Sequence, residues 1–159
     1  MGTNFYMMTK NKELAQKYAP YSYELTDEPE FGYSIHVAKT SMGWLPSFQG
    51  HKDGIQSVKE YKEAYDAGEF IIYDEYGTIY TWEEFDERVL QFNGGTVKNR
   101  KIEKINQDKT SRFYDPAMPD HIPVSHFEYN YNLHHSWYEV YKEHFKDKDG
   151  YEFTWTEFS

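Results

Sequence analysis

The chain has 159 residues and a mass of 19.1 kDa, with 17 basic against 27 acidic side chains, a net charge of −10 and a pI near 5.1. That is the length of one domain, and two large domains would not fit. The charge excludes a basic nucleic-acid binder and a protein docked on anionic lipid, because both need cations facing phosphate.

There is no cysteine, which excludes disulfides and cysteine-ligated zinc and fits a reducing compartment. No apolar run approaches the roughly 20 residues of a membrane span, and Met1 to Lys12 lacks the apolar stretch of a signal peptide. A cytoplasmic protein is expected. Leu, Ile, Val and Phe supply only 30 residues, which with this net charge borders on the composition of disordered chains. The 31 Tyr, Phe and Trp residues reverse that reading, since each buries roughly 150–250 Å². They predict a folded domain with an aromatic core and an acidic surface.

In chain order, Ser34-Ile35-His36-Val37-Ala38 alternates weakly and predicts a strand. Ser41-Met42-Gly43 is the break, and Trp44 to Phe48 reads as the returning strand. Pro46 lacks a backbone donor, so that strand should lie at an edge or be short. Ser57 with Glu60 fits a capping box, followed by Val58, Tyr61 and Tyr65 on one helical face and Gly68 as the closing residue. Phe70 to Tyr73 reads as a short strand. Thr81 with Glu84 is a second capping box, and Trp82, Phe85, Val89 and Phe92 form a helical stripe ended by Asn93-Gly94-Gly95. A third helix is expected near Ser136 to Phe145, with Trp137, Val140, Tyr141 and Phe145 inward. Between Gln107 and Asn132 the pattern is lost, because Pro116, Pro119 and Pro123 break helix and strand alike. The expected fold is a single α+β domain over residues 1–159. A small mixed or antiparallel sheet packs on two or three short helices, with residues 98–132 as a basic, then proline-broken strap.

Charge is uneven. Glu60 to Glu87 holds ten acids and one base, whereas Lys98 to Arg112 holds six bases and two acids. The two stretches either neutralise each other or form separate solvated faces. Asp74 to Phe85 echoes Asp147 to Phe158, with Asp, Gly, Thr, Trp, Glu and Phe in common. The echo is either a duplicated site or two corners that solve one capping problem the same way.

Tests for chemistry fail one after another. With Gly150 at position 6 of a calcium loop, position 1 is Phe145 and position 12 is Thr156, neither of which ligates as required. The earlier copy has Glu83 at position 12 but Ile72 at position 1. A phosphate loop ending at Lys39-Thr40 would need glycine where Tyr33 and Ala38 stand. The seven histidines (His36, His51, His121, His126, His134, His135 and His144) show no helical ligand pair with a carboxylate partner. No nucleophile motif is present, so no catalytic residue, metal or cofactor is expected.

Three stretches, Met1-Gly-Thr-Asn-Phe-Tyr6, His36-Val-Ala-Lys-Thr-Ser-Met-Gly-Trp44 and Asp74-Glu-Tyr-Gly77, resemble a group of small proteins of tailed phages and prophages. Those begin Met-Gly-Thr-Asn-(Tyr/Phe)-Tyr and carry His-Ile-Gly-Lys-Ser-Ser-x-Gly-Trp and Asp-Glu-Tyr-Gly; the ending Glu157-Phe158-Ser159 also fits. The resemblance spans about the first 90 residues and the tail. It implies phage origin and a host cytoplasm, and it implies no activity. Many of the group carry a Cys-x-x-Cys pair before the His-Ile-Gly-Lys motif, which suggests a zinc knuckle; that cannot carry over to a chain without cysteine.

His36, Lys39, Ser41, Gly43 and Trp44 do carry over. His36 and Lys39 would share a face of an extended strand only if a turn or bulge lay between them. The leading expectation is a non-enzymatic accessory protein that binds a host protein, in its sharpest version an acidic inhibitor imitating nucleic acid through Glu60, Glu63, Asp66, Glu69, Asp74, Glu75, Glu83, Glu84 and Glu87. The second is a nucleotide-like small-ligand site at His36, Lys39, Ser41 and Trp44. The third is a virion component or homo-oligomer, given sixteen tyrosines. None involves direct binding of nucleic acid or membrane.

Overall fold

A computed structural model describes residues 2–26, 32–41, 44–96, 99 and 144–156. The elements are β1 (Gly2–Thr9), α1 (Lys12–Tyr18), β2 (Glu24–Leu25), β3 (Tyr33–Ser41), β4 (Ser47–Gln49), α2 (Val58–Asp66), β5 (Ile71–Asp74), β6 (Ile79–Tyr80), α3 (Trp82–Phe85), β7 (His144–Lys146) and β8 (Glu152–Thr154). The strands form one eight-stranded sheet in the order β6-β5-β1-β3-β4-β8-β7, with β2 also on β3. The β4–β8 pair is parallel and the other pairs are antiparallel. This is the α+β class that the sequence predicts. Among the described residues no helix is long and apolar enough to cross a membrane.

Strand β1 is central, and its pattern predicts nothing of the kind. Phe5 and Met7 are buried on one face, while Asn4 and Met8 are nearly buried on the other. A strand covered on both faces shows no alternation. The core lies on the Phe5 face, where Phe5, Met7, Ile35, Phe48, Ile72 and Phe153 meet Tyr61 of α2 and Trp82 and Phe85 of α3. Its rings are layered: Phe48 on Phe153 at 5.4 Å, Phe145 on Phe153 at 5.1 Å and Phe5 edge-on to Phe85 at 6.0 Å.

Three expectations need correction, and one about β4 holds. Strand β4 is short, as expected from Pro46, and lies between β3 and β8. Proline stands just ahead of β4, where no ladder bond is demanded of it. The box at Ser57 is shifted: Ser57 Oγ accepts from the Glu60 amide at 3.1 Å, but the Glu60 carboxylate accepts from the Gln56 amide and the Ser57 hydroxyl rather than from the Ser57 amide. The stripe from Trp82 continues through a wider π turn over Asp86–Leu90. The added residue puts both Val89 and Leu90 in the core and leaves Phe92 half-buried. His144 and Phe145, placed by the sequence at the end of a third helix, belong to strand β7; residues 136–143 of that expected helix, the Met42-Gly43 break and most of the 98–132 strap lie outside the described residues. The Thr81–Glu84 box forms completely.

The connection after β4 is clamped onto the end of α1. The Ile55 amide donates to the Tyr18 carbonyl at 2.9 Å, and a Cβ on Gly54 would stand 2.0 Å from that same oxygen. Gly54→Ala must therefore push two backbones apart. It should cost about 2 kcal/mol or more of stability, read as a lower urea midpoint at unchanged slope; Thr81→Ala, which removes only a cap, should cost about 1 kcal/mol.

Candidate functional site

The pairing of β1 with β3 slips between Phe5 and Tyr6. Phe5 faces Ala38, Tyr6 faces His36, and Val37 is the extra residue of a β-bulge. The bulge moves His36 onto the face that carries Lys39 and Ser41. It also puts His36 beside Tyr6, ring on ring at 4.9 Å, with Tyr73 on the far side of Tyr6 at 5.4 Å. His36 Nε2 stands 3.1 Å from the Asn4 side-chain oxygen. Trp44 is half-buried, with its carbonyl accepting from Asn93 Nδ2 at 2.6 Å. Three of the four sequence-nominated ligand residues therefore share a face, and Trp44 is tied to the turn after α3.

On its other edge β3 meets β2 at Tyr33 and Ser34 and β4 at Ala38 and Lys39. The His36 carbonyl falls in the gap between them. It accepts from His51 Nε2 at 2.9 Å, with the Tyr61 hydroxyl at 3.2 Å. A carbonyl can only accept, so His51 carries its proton on Nε2. Nδ1 is then the acceptor, and its partner is the Ser22 hydroxyl. Ser22, His36, Gln49, Gly50, His51, Lys52, Tyr21 and Trp155 surround a cavity of about 260 Å³ in this gap.

The cavity is uncharged on its inner side. Burial lowers the His51 imidazole to about 4 against the upward pull of its bond to the His36 carbonyl. Burial, then the neighbouring His51, lowers His36 to about 4 as well, with the Ala38 backbone raising it and Lys39 lowering it. Gln49 is 5% exposed. Its amide nitrogen points at the carbonyls of Gly50, Thr154 and Trp155, at 3.1, 3.2 and 3.4 Å, and its Oε1 has no hydrogen-bond partner. Trp155 is 39% exposed and stacks on Phe145 at 4.5 Å. Gly50 permits that packing, since a Cβ there would stand 2.9 Å from Phe145 and 3.2 Å from Trp155.

Sequence reasoning missed Ser22, Gln49 and Trp155 and passed over His51 as one histidine among seven. The available signal was Gln49-Gly-His51 followed by Asp53-Gly54: a histidine held between a strand end and a tight turn.

The nominated acidic residues divide. Asp74 is only 4% exposed. Its carboxylate accepts from the Tyr76 and Thr78 amides at 2.9 and 3.0 Å and from the Tyr80 hydroxyl at 2.7 Å, so it is a turn residue and not part of an exposed face. Burial pushes that carboxyl up, but those three donors outweigh it and hold it below the usual range. Glu60 and Glu84 serve caps, and Glu75 Oε1 accepts from the Asn4 amide at 2.9 Å. Glu63, Asp66, Glu69, Glu83 and Glu87 are exposed. Lys62 of α2 pairs with Asp66 at 2.7 Å, and its ammonium is held up first by that bond and also by the field of Asp66 and of Glu83 on α3. Among the described residues no group of three or more His, Asp or Glu could hold a metal. No family model, curated protein or solved structure matches this chain.

Two imidazoles held neutral make the fold sensitive to acid. The unfolded chain takes up these protons near 6.5 and the fold only near 4, so their stabilising contribution is complete above pH 6.5 and is lost as pH falls to 4. For His51 this amounts to something on the order of 3 kcal/mol. Asp74, whose carboxyl is depressed, adds its own loss only below its ordinary 3.8. Urea midpoints measured from pH 7.5 to 4 should fall steadily below 6.5; a flat profile down to 4.5 would show that the imidazoles are not held neutral.

Proposed function

We propose that the protein is a non-enzymatic binding protein that takes a small ligand in the cavity between β2, β4 and the His36 bulge. The observation that carries this reading is the cavity itself, about 260 Å³ in the gap at the sheet edge, walled by His36, His51, Gln49 and Trp155. Packing of the cavity supports the same reading: Trp155 is braced by Phe145, and His51 is fixed at both ring nitrogens. The reading keeps His36 from the sequence nomination and moves the rest of the site from Lys39–Trp44 to Ser22, Gln49, His51 and Trp155. A panel of nucleotides, nucleosides, amino acids and amines should contain a member that raises stability by roughly 2.7 kcal/mol at 100 times its Kd. Trp155 fluorescence should respond at the same concentrations. A panel with no shift and no fluorescence change rejects the cavity as a ligand site.

A second reading, host-protein binding by an acidic face of a phage-encoded protein, is favoured by the closeness of α2 and α3, which brings Glu83 into the field of the Lys62–Asp66 pair. Such a partner should be captured from host lysate at low salt and released at high salt, because exposed charges are screened over about 10 Å at 0.1 M. Capture that is unchanged by salt contradicts imitation of nucleic acid.

A further inference from the structure

The tautomer of His51 decides which way the Ser22 hydroxyl points. A backbone carbonyl can only accept, so the His51 Nε2–H is committed to the His36 carbonyl and Nδ1 is left with its lone pair. The partner of that lone pair is the Ser22 hydroxyl, which therefore donates its proton inward. Ser22 itself is exposed, and it lines the same cavity as Gly50, Lys52 and Trp155. The imidazole is buried and held from its backbone as well: the His51 amide donates to the Ile55 carbonyl, and its carbonyl accepts from the Gly54 amide, both at 2.9 Å. A hydroxyl hydrogen-bonded to a neutral imidazole, whose far nitrogen is fixed by a third group, is the nucleophile–base pair of acyl transfer.

We propose that Ser22 is a nucleophile toward activated acyl groups, with His51 as its base, and that the chain is acylated there once rather than turning over. In the step, Ser22 Oγ attacks the acyl carbon and forms the ester bond, and its proton passes to His51 Nδ1. The same proton is handed to the departing thiolate or phenolate as the carbon–sulfur or carbon–oxygen bond breaks. Lys52, the one cation among the lining residues, is the charged group that can offset the charge gathering on the acyl oxygen.

The surroundings restrict the acyl donor. Among the described residues that line the cavity there is no carboxylate to hold an imidazolium, and burial lowers the His51 ring to about 4. Such a weak base drives attack only where the leaving group departs easily. A thiolate or a phenolate does so, with conjugate-acid pKa values of about 8.5 and about 10. An amide does not. Neither does the serine ester itself, whose hydrolysis would have to expel an alkoxide. The ester therefore persists, which agrees with a protein that is not an enzyme. The proposal goes beyond reversible binding, since it needs the Ser22–His51 pair and the open cavity but no resident ligand.

The full chain, treated at pH 7.5 with p-nitrophenyl acetate or with the acetyl thioester of N-acetylcysteamine and read by intact mass and peptide mapping, provides the test. Each donor should place one acetyl group on Ser22 and leave it there for hours, whereas acetanilide should place none. Ser22→Ala, at an exposed position, should abolish that label and leave lysine labelling as it was. His51→Gln should slow labelling of Ser22 about a hundredfold, and Lys52→Gln should slow it several-fold. If His51→Gln does not fold, the original chain unfolded in urea, where the pair is separated, gives the same comparison. The rate should stay level from pH 7.5 to 5.5. The ring, faced by the uncharged Tyr61 of α2 and His36 of β3, remains neutral over that range, whereas an ordinary imidazole would lose most of its basic form. Labelling of Ser22 no faster than in urea, or none while lysines react, overturns the proposal. Steady release of p-nitrophenol that requires Ser22 overturns single acylation. In each case the ligand panel still decides reversible binding on its own.

Discussion

The His36 carbonyl is the constraint around which this part of the molecule is arranged. It lies at a bulge, on an edge of β3 that β2 covers at one end and β4 at the other. A backbone carbonyl left unpaired inside a protein costs about as much as a lost hydrogen bond. Here the ladder is completed by side chains. His51 reaches in from the loop after β4 and Tyr61 from α2, and the Tyr61 hydroxyl also stands 2.7 Å from the Gln49 carbonyl. Three segments distant in sequence are therefore fixed to one point. Because that point is made of side chains, the sheet edge keeps a cavity where a paired strand would have filled it.

A second device recurs at the hairpins β5–β6 and β7–β8. In each, an aspartate opens the turn and its carbonyl accepts from a glycine amide, Gly77 in one and Gly150 in the other, both at positive φ. One carboxylate oxygen gathers two amides, from Tyr76 and Thr78 or from Asp149 and Tyr151. The remaining oxygen differs in use. That of Asp74 takes the Tyr80 hydroxyl within its own hairpin, whereas that of Asp147 takes the Val58 amide at 2.9 Å and so caps α2. The echo between Asp74–Phe85 and Asp147–Phe158 is thus a repeated turn chemistry. One copy closes on itself, and the other ties its hairpin to the helix that carries Tyr61.

What was legible in the sequence was what depends on neighbours in sequence. The Thr81 cap, the Asn93-Gly94-Gly95 stop, the core face of α2 and the α+β class all follow from spacing. What was not legible depends on covering from both sides or on insertion. Strand β1 lacks alternation because both its faces are nearly buried. The π turn at Asp86–Leu90 shifts the helical stripe by a residue that a 3.6 period does not contain. Of the candidate site, His36 with Lys39 and Ser41 could be nominated only on condition of a bulge. Their common face exists because Val37 is that bulge. Ser22 and Trp155 carry no local signature, since their roles are set by His51 and Phe145, which are not their neighbours in sequence, and Gln49 is read only through the distant Thr154 and Trp155 carbonyls.

The protonation state of the cavity follows from the same constraint. A histidine that reached the gap as a cation would have to bury a charge and find an acceptor for Nδ1–H as well. The neutral ring satisfies the His36 carbonyl with one nitrogen and the Ser22 hydroxyl with the other, and needs no counter-ion. Its neutrality orients the serine proton inward and leaves the oxygen lone pairs to the cavity. The backbone gap at the bulge thereby sets the tautomer, and the tautomer sets the polarity of Ser22. A charge reversal anywhere along that sequence would begin with rearrangement of the sheet edge itself.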